Sequence, residues 1–258
     1  MFKILPYKNT SSGARILCRE LPAEMLDADT RLTTDFLRSN VVINWGSGWS
    51  ASPVSANKPS AVCNAVNKVR AFQLFNANGV DHPEYTRTQS VAKKWYQTGF
   101  RVYYRETMEG ERGRGIHIID PDESDEDGVD GGLERFLGLS GHFTKGFPIH
   151  REFRVHIAFG KVIEVNEKKR RNGTNPDPRM RSHVDWVFCV YNLTPYPNII
   201  KEQSIAAVKA LGLDFGGVDI SIDKEGHACV FEVNTAPWIN RESTWSAYRN
   251  AFTQNFSD

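Results

Sequence analysis

The sequence predicts an α+β protein, and three stretches carry that prediction. GGVDISI and HACVFEV, within Phe215–Trp238, are short runs rich in β-branched and apolar residues, with the turn-forming Asp223-Lys224-Glu225-Gly226 between them. In HREFRVHIAFGKVIEV, Glu152, Arg154 and His156 alternate with Phe153, Val155 and Ile157, the pattern of a half-buried strand with one polar face. From Pro59 to Asn78 the apolar residues Val62, Ala65, Val66, Val69, Phe72 and Phe75 recur at helical spacing; Pro59 and Ser60 suit the start and Gly79 the stop.

The other elements follow in order. Ala14–Leu21 reads as a helix. Asn40–Asn44 reads as a buried strand that runs into Trp45-Gly46-Ser47-Gly48, a plain turn in preference to a phosphate loop; together they suit a small α/β lobe. Gln89–Gly99 reads as a short helix and Phe100–Arg105 as a strand. Glu106–Ile116, ETMEGERGRGI, then turns into a second strand, GIHIID. Backbone N–H groups in such a glycine-rich turn can close over phosphates without side-chain obstruction.

Asp120–Asp130 holds seven acidic residues in eleven and reads as a solvated, mobile insertion. Lys168–Arg181, KKRRNGTNPDPRMR, reads as a loop with six basic residues. A nucleic-acid contact and a solvated charge run stay open, although no aromatic residues interleave to stack on bases. Tyr196–Leu211 reads as a helix with Pro197 in its first turn. Arg241–Phe256 reads as a closing helix whose stripe of Trp245, Tyr248, Phe252 and Phe256 is for packing.

Bulk properties narrow the function classes. The 258 residues suffice for one large domain or two to three lobes; 40% apolar and 24% charged residues are ordinary for a globular protein. A net charge of +1 gives no global pull toward nucleic acid or membrane. The apolar run in MFKILPYKNTSS is too short for a signal peptide, and no stretch is long enough to span a membrane. Cys18, Cys63, Cys189 and Cys229 are scattered, which suggests buried thiols in a reducing cytoplasm.

The chemistry concentrates at the C-terminal hairpin. Glu232 and Asn234 share a strand face. Symmetric closure of the four-residue turn sets Asp219 opposite Val230, on that same face, with Glu232 on its diagonal at roughly 7–8 Å. A one-residue slip would turn Asp219 away. Two carboxylates and an amide oxygen suit a hard cation such as Mg²⁺; the alternative is a solvated polar strand face.

GGVDISI followed by VFEVNTAP resembles the metal motif of ATP-grasp enzymes, most closely the RimK-type amino-acid ligases. The match keeps Asp219, Glu232, Asn234 and Pro237, and departs where Trp238 replaces the usual glycine. NKVRAFQLFNANGVDHPEYT resembles the family's ATP-proximal helix, with Lys68 at its start. The glycine-rich turn resembles the family's flap, with Gly113 and Gly115 in register and Arg105 at the usual lysine. The Glu152-Phe153-Arg154 strand matches the family's acid-x-Arg strand. The resemblance covers roughly residues 60–240 and extends to small, often phage-encoded ATP-grasp proteins.

The resemblance implies an α+β fold in which two lobes grip ATP beside a small α/β N-terminal lobe, with boundaries at 1–58, 59–142 and 143–258. It implies Asp219, Glu232 and Asn234 as ligands of Mg²⁺ or Mn²⁺, and Arg154 and Arg105 at the transfer centre. It further implies Phe143 and Lys145 at the adenine hinge, Glu152 near the ribose, and Lys68, Lys168 and Arg170 as phosphate or substrate contacts. The implied reaction is ATP-dependent ligation of a carboxylate to an amine, on an amino acid or peptide. An ATP-grasp kinase, a nucleic-acid-binding protein using 168–181, and a degenerate ATP-binding module remain alternatives.

Overall fold

The structure is a computed structural model that describes residues 1–48, 53–106, 115–121, 131–172, 186–190 and 195–256. The flap turn with Gly113, most of the acidic run, and the basic stretch beyond residue 172 lie outside these residues.

Three sheets organise the described residues. In the first, β1 (Phe2–Pro6), β2 (Glu24–Met25) and β3 (Val41–Trp45) run parallel in the order β2-β1-β3, connected through α1 (Ser12–Glu20) and α2 (Thr34–Ser39). Helix α1 is capped by Ser11, whose Oγ accepts from the Ala14 N–H at 3.3 Å. The Trp45–Gly48 turn is satisfied internally: Asn44 accepts from the Ser47 N–H and donates to the Ser47 carbonyl, each at 2.8 Å. This agrees with the plain-turn reading.

The single helix expected from Pro59 to Asn78 is two, α3 (Pro59–Val66) and α4 (Lys68–Ala77). Asn67 breaks it. Its backbone turns extended and its side chain accepts from the Arg70 N–H at 3.0 Å, capping the second helix. Val66, counted on the apolar face, is exposed as a result.

The second sheet is antiparallel, order β4-β7-β5-β6, built from β4 (Tyr85–Thr86), β5 (Val102–Arg105), β6 (Ile116–Ile119) and β7 (His142–Lys145), with α5 (Gln89–Gln97) packed on it. Strand β7 pairs with β4 and β5, so residues 143–145 belong to this sheet although the expected lobe boundary precedes them.

The third sheet is antiparallel, order β10-β9-β8-β11-β12, from β8 (Arg151–Ala158), β9 (Lys161–Arg170), β10 (Trp186–Cys189), β11 (Phe215–Ile222) and β12 (Ala228–Asn234). Its apolar face, with Phe153, Val155, Val218 and Ile220, is sealed by α6 (Asn198–Ala210) and by Val62, Phe72 and Phe75 of α3 and α4. Those two helices thus share a core with the third sheet, not the second. Lys168–Arg170, expected in a loop, is the end of β9.

Helix α7 (Glu242–Phe256) closes back over the N-terminal lobe. Tyr248 and Phe252 are fully buried against Trp45 and Phe215, and Trp45 stacks on Phe215 at 5.3 Å. Asn57 fastens the lobes. Buried and left-handed at φ 57°, it accepts from the Asp214 and Phe215 N–H groups at 2.8 and 3.1 Å, and donates to the Phe215 carbonyl at 3.0 Å.

No helix among the described residues is long and apolar enough to cross a membrane. All four cysteines are free thiols. Only Cys229 among them is fully buried and Cys63 is exposed, against the expectation of buried thiols.

Candidate active site

The other face of the third sheet is charged. Opposed strand residues share a face, and the observed registers set three rows across it. Phe188, Lys168, Glu152 and Ser221 form one, Asn166, Arg154, Asp219 and Glu232 the next, and Glu164, His156, Gly217 and Asn234 the third. Asp219, Glu232 and Asn234 therefore do share a face, by a different register from the expected one. Asp219 lies directly opposite Glu232, not Val230.

Two local causes produce this shift. Asp223 accepts from the His227 backbone N–H at 2.8 Å and meets its ring Nδ1 at 2.9 Å, so the turn between them is Lys224-Glu225-Gly226, with Gly226 at φ 91°. A bulge between Asp219 and Ile220 adds a second step. The two slips sum to an even number and preserve the face.

The charges are paired in a network that is buried at Lys168, Glu152 and Asp219 and part-exposed at Glu232. Asp219 accepts from Arg154 Nη2 at 2.7 Å and from Lys168 Nζ at 2.9 Å. Lys168 also donates to Glu152 at 2.9 Å. Glu232 is held by Lys68, the first residue of α4, and accepts from the Asn234 amide nitrogen at 3.1 Å. Burial alone would raise the Asp219 pKa, but the charges of Arg154 and Lys168 overcome it and hold the carboxyl far below its usual range. The Lys68 ammonium, against the opposing effect of burial, likewise lowers that of Glu232.

Arg105 enters from the second sheet. Burial lowers its pKa, while the negative charge of Glu232 works the other way. The end of β5 therefore comes within electrostatic reach of the β12 carboxylate. Gly115, at φ 69°, accepts from the Glu106 N–H at 3.0 Å and ends the described part of the flap hairpin.

The remaining expected residues divide. Glu152 is buried on the site face, and Arg170 is exposed at the end of β9. Lys145 stays on the second sheet, paired with Glu84 at 2.5 Å over the Phe100 ring. Phe143 is fully buried between Tyr104 and Phe136, at 5.3 and 5.9 Å, so its ring is a core group and only its backbone is placed to line a hinge.

His156 is neutral near pH 7. Burial first, then Arg154, push its pKa down to about 3, and its ring hydrogen-bonds the Tyr248 hydroxyl at 3.1 Å. A second polar group went unread in the sequence: Glu164 accepts from Asn166 at 2.9 Å and from Thr244 at 2.6 Å. The period-two spacing of Glu164, Asn166, Lys168 and Arg170 was the available signal that β9 continues the polar face.

The donor set fits a hard divalent cation. Asp219 and Glu232 set carboxylate groups side by side, and among the described residues the Asn234 side chain bonds to Glu232 and Gly217 through its amide nitrogen, which leaves the amide oxygen available to a cation.

No family model matches the chain. It is 26% identical over 192 residues to a probable alpha-L-glutamate ligase 2 of Shewanella amazonensis, an alignment covering 72% of this chain and 60% of the relative. Among solved structures, ATP-grasp ligase PsnB complexed with minimal precursor superposes with a TM-score of 0.66 at 13% identity, covering 98% of this chain and 99% of that one. The chain has the ATP-grasp fold. D-alanine–D-alanine ligase from Bacillus anthracis superposes with a TM-score of 0.59 at 16% identity, covering 92% of this chain and 86% of that one. A PsnB complex with minimal precursor, Mg and ADP superposes with a TM-score of 0.63 at 13% identity, covering 93% of this chain and 90% of that one. The named source organisms are bacteria, which lends no support to a phage origin.

Proposed function

We propose that the chain is an ATP-dependent carboxylate–amine ligase acting on an amino acid or peptide. The observation that carries the reading is the alternation of paired charges, Lys68–Glu232 and Arg154–Asp219–Lys168–Glu152, with Arg105 of a second sheet in electrostatic reach of Glu232. The likeness to glutamate ligases supports it, although the alignment spans only 60% of such a relative.

In this reading ATP is a substrate. Asp219, Glu232 and Asn234 would hold Mg²⁺ or Mn²⁺, which neutralises phosphate charge when bound. Arg154 and Lys168, now on Asp219, and Lys68, now on Glu232, are the cations that arriving phosphates would draw across. Releasing the carboxylates for the metal and charging the phosphate site then become one event. Arg105 offers a planar fork to two phosphate oxygens.

Gly113 and Gly115 would cover the phosphates, with the Phe143–Lys145 backbone and Glu152 toward the nucleoside and Arg170 toward the acid. A substrate carboxylate oxygen attacks the γ-phosphorus, the bond to the β-phosphate oxygen breaks, and ADP leaves. An amine lone pair then attacks the acyl carbon, phosphate departs, and the nitrogen gives up its proton. The chain contributes position and charge. The free thiols fit a reducing compartment such as the cytoplasm.

Hydroxylamine tests the reaction class. Supplied with ATP, Mg²⁺ and a panel of amino acids and peptides, the protein should form a hydroxamate as ADP accumulates, and Glu232→Gln should lose both. A stable phosphomonoester without hydroxamate would instead identify a kinase acting on a hydroxyl.

A further inference from the structure

Trp238 stands where the family pattern has glycine, four residues beyond Asn234, and 40% of it is exposed. A single exposed aromatic needs no explanation. This one has a particular setting. Its ring lies 6.3 Å from that of Phe188, tilted by 40°. Phe188 in turn lies 5.8 Å from both the Arg154 guanidinium and the Lys168 ammonium, in the row that holds Lys168 and Glu152.

Pro237 anchors the arrangement. A Cβ added to Gly217 would come within 2.9 Å of Pro237 Cβ and 3.1 Å of Arg154 Cδ, so the segment entering Trp238 and the stem of Arg154 crowd over the same glycine. The two rings therefore form an apolar wall beside the most charged part of the sheet.

Resting on the ligase reading, we propose that Phe188 and Trp238 form a specificity subsite for an apolar, preferably aromatic, side chain on the carboxylate substrate. The substrate carboxylate is drawn toward Arg154 and Lys168, and the side chain on the same molecule lies against the rings. A pocket that combines a few convergent charges with aromatic walls fixes orientation through the first and selects through the second. With glycine at 238 no such wall would exist, so the substitution turns a permissive edge into a selective one.

Calorimetric titration of N-acetyl-L-phenylalanine, N-acetyl-L-leucine and N-acetyl-L-alanine, with Mg²⁺ and a non-hydrolysable ATP analogue present, tests the subsite. The phenylalanine probe should bind about tenfold more tightly than the alanine probe. Trp238→Gly should erase that preference, Phe188→Ala should weaken it, and Trp238→Tyr should keep most of it; binding of the ATP analogue serves as the folding control. Equal or absent binding of the three probes to the native chain would overturn the subsite, as would a preference that survives Trp238→Gly. The hydroxylamine assay separates the two proposals. An aromatic preference without hydroxamate defeats the ligase and leaves the subsite, whereas hydroxamate formed equally from all three acids defeats the subsite alone.

Discussion

Residues 219 and 220 are neighbours on one strand with opposite surroundings. Ile220 points into an apolar layer with Phe153, Val155 and Val218 under α6. Asp219 faces Arg154, Lys168 and Glu232. Both are at least nine-tenths buried. The apolar side needs only volume, and exchanging one aliphatic group for another of similar size disturbs it little. On the charged side each buried ion depends on a named partner, because an unpaired charge cannot be relaxed away.

The largest expected effect breaks the charged side. Asp219→Ala takes the bidentate partner from the mostly buried Arg154 and one of two carboxylates from Lys168; it should cost about 3–5 kcal/mol in urea unfolding and abolish metal-dependent ADP release. A variant of unchanged stability would mean that the network is solvated. Ile220→Ala, one residue along, should cost about 3 kcal/mol through its cavity and leave the KM for ATP unchanged. A raised KM there would show that the two faces are coupled.

A pH series sharpens the contrast through His156, which is in contact with Tyr248 and within reach of Arg154 and Asp219. Its folded pKa of about 3 lies below the ordinary 6.5, so the unfolded chain binds the extra proton between these values. Stability from this group is complete above pH 6.5 and declines as pH falls toward 3. From pH 7 to pH 5 the loss should approach about 2 kcal/mol. His156→Gln should flatten this part of the profile, measured by urea midpoints, and an unchanged slope would assign it to other groups. The smallest effect on the fold is expected at Arg105, the last residue of an inner strand of the other sheet. Arg105→Lys should retain part of the activity, and Arg105→Ala should raise the KM for ATP about tenfold with little change in melting temperature.

Much of this was legible because face membership is local. Successive strand side chains alternate whatever the rest of the chain does, so Glu152, Arg154 and His156 could be separated from Phe153, Val155 and Ile157 by inspection. The same rule applied to Glu164, Asn166 and Lys168 would have extended β9 into the stretch read as a loop. The break at Asn67 was harder to see. Its apolar periodicity continues through the cap, and the signal was Asn67, the second of two nearby asparagines, three residues before Arg70. Nor did local spacing show that the Phe143 ring is committed to the core, which leaves its backbone for the hinge.

The sequence by itself determined the α+β character, the hairpin, the polar strand face and the residue types able to hold a cation. Register and partnership were decided by the tertiary structure. The turn closed by Asp223 and His227 and the bulge beside Asp219 moved the pairing by two residues, and no local rule sums such slips. Lys68 reaches Glu232 across 164 residues of chain, and Arg105 approaches from a separate sheet. Alternation is a property of covalent geometry and can be read one residue at a time. Which charge neutralises which depends on where distant segments come to rest, and that is set only when the sheets and helices have packed.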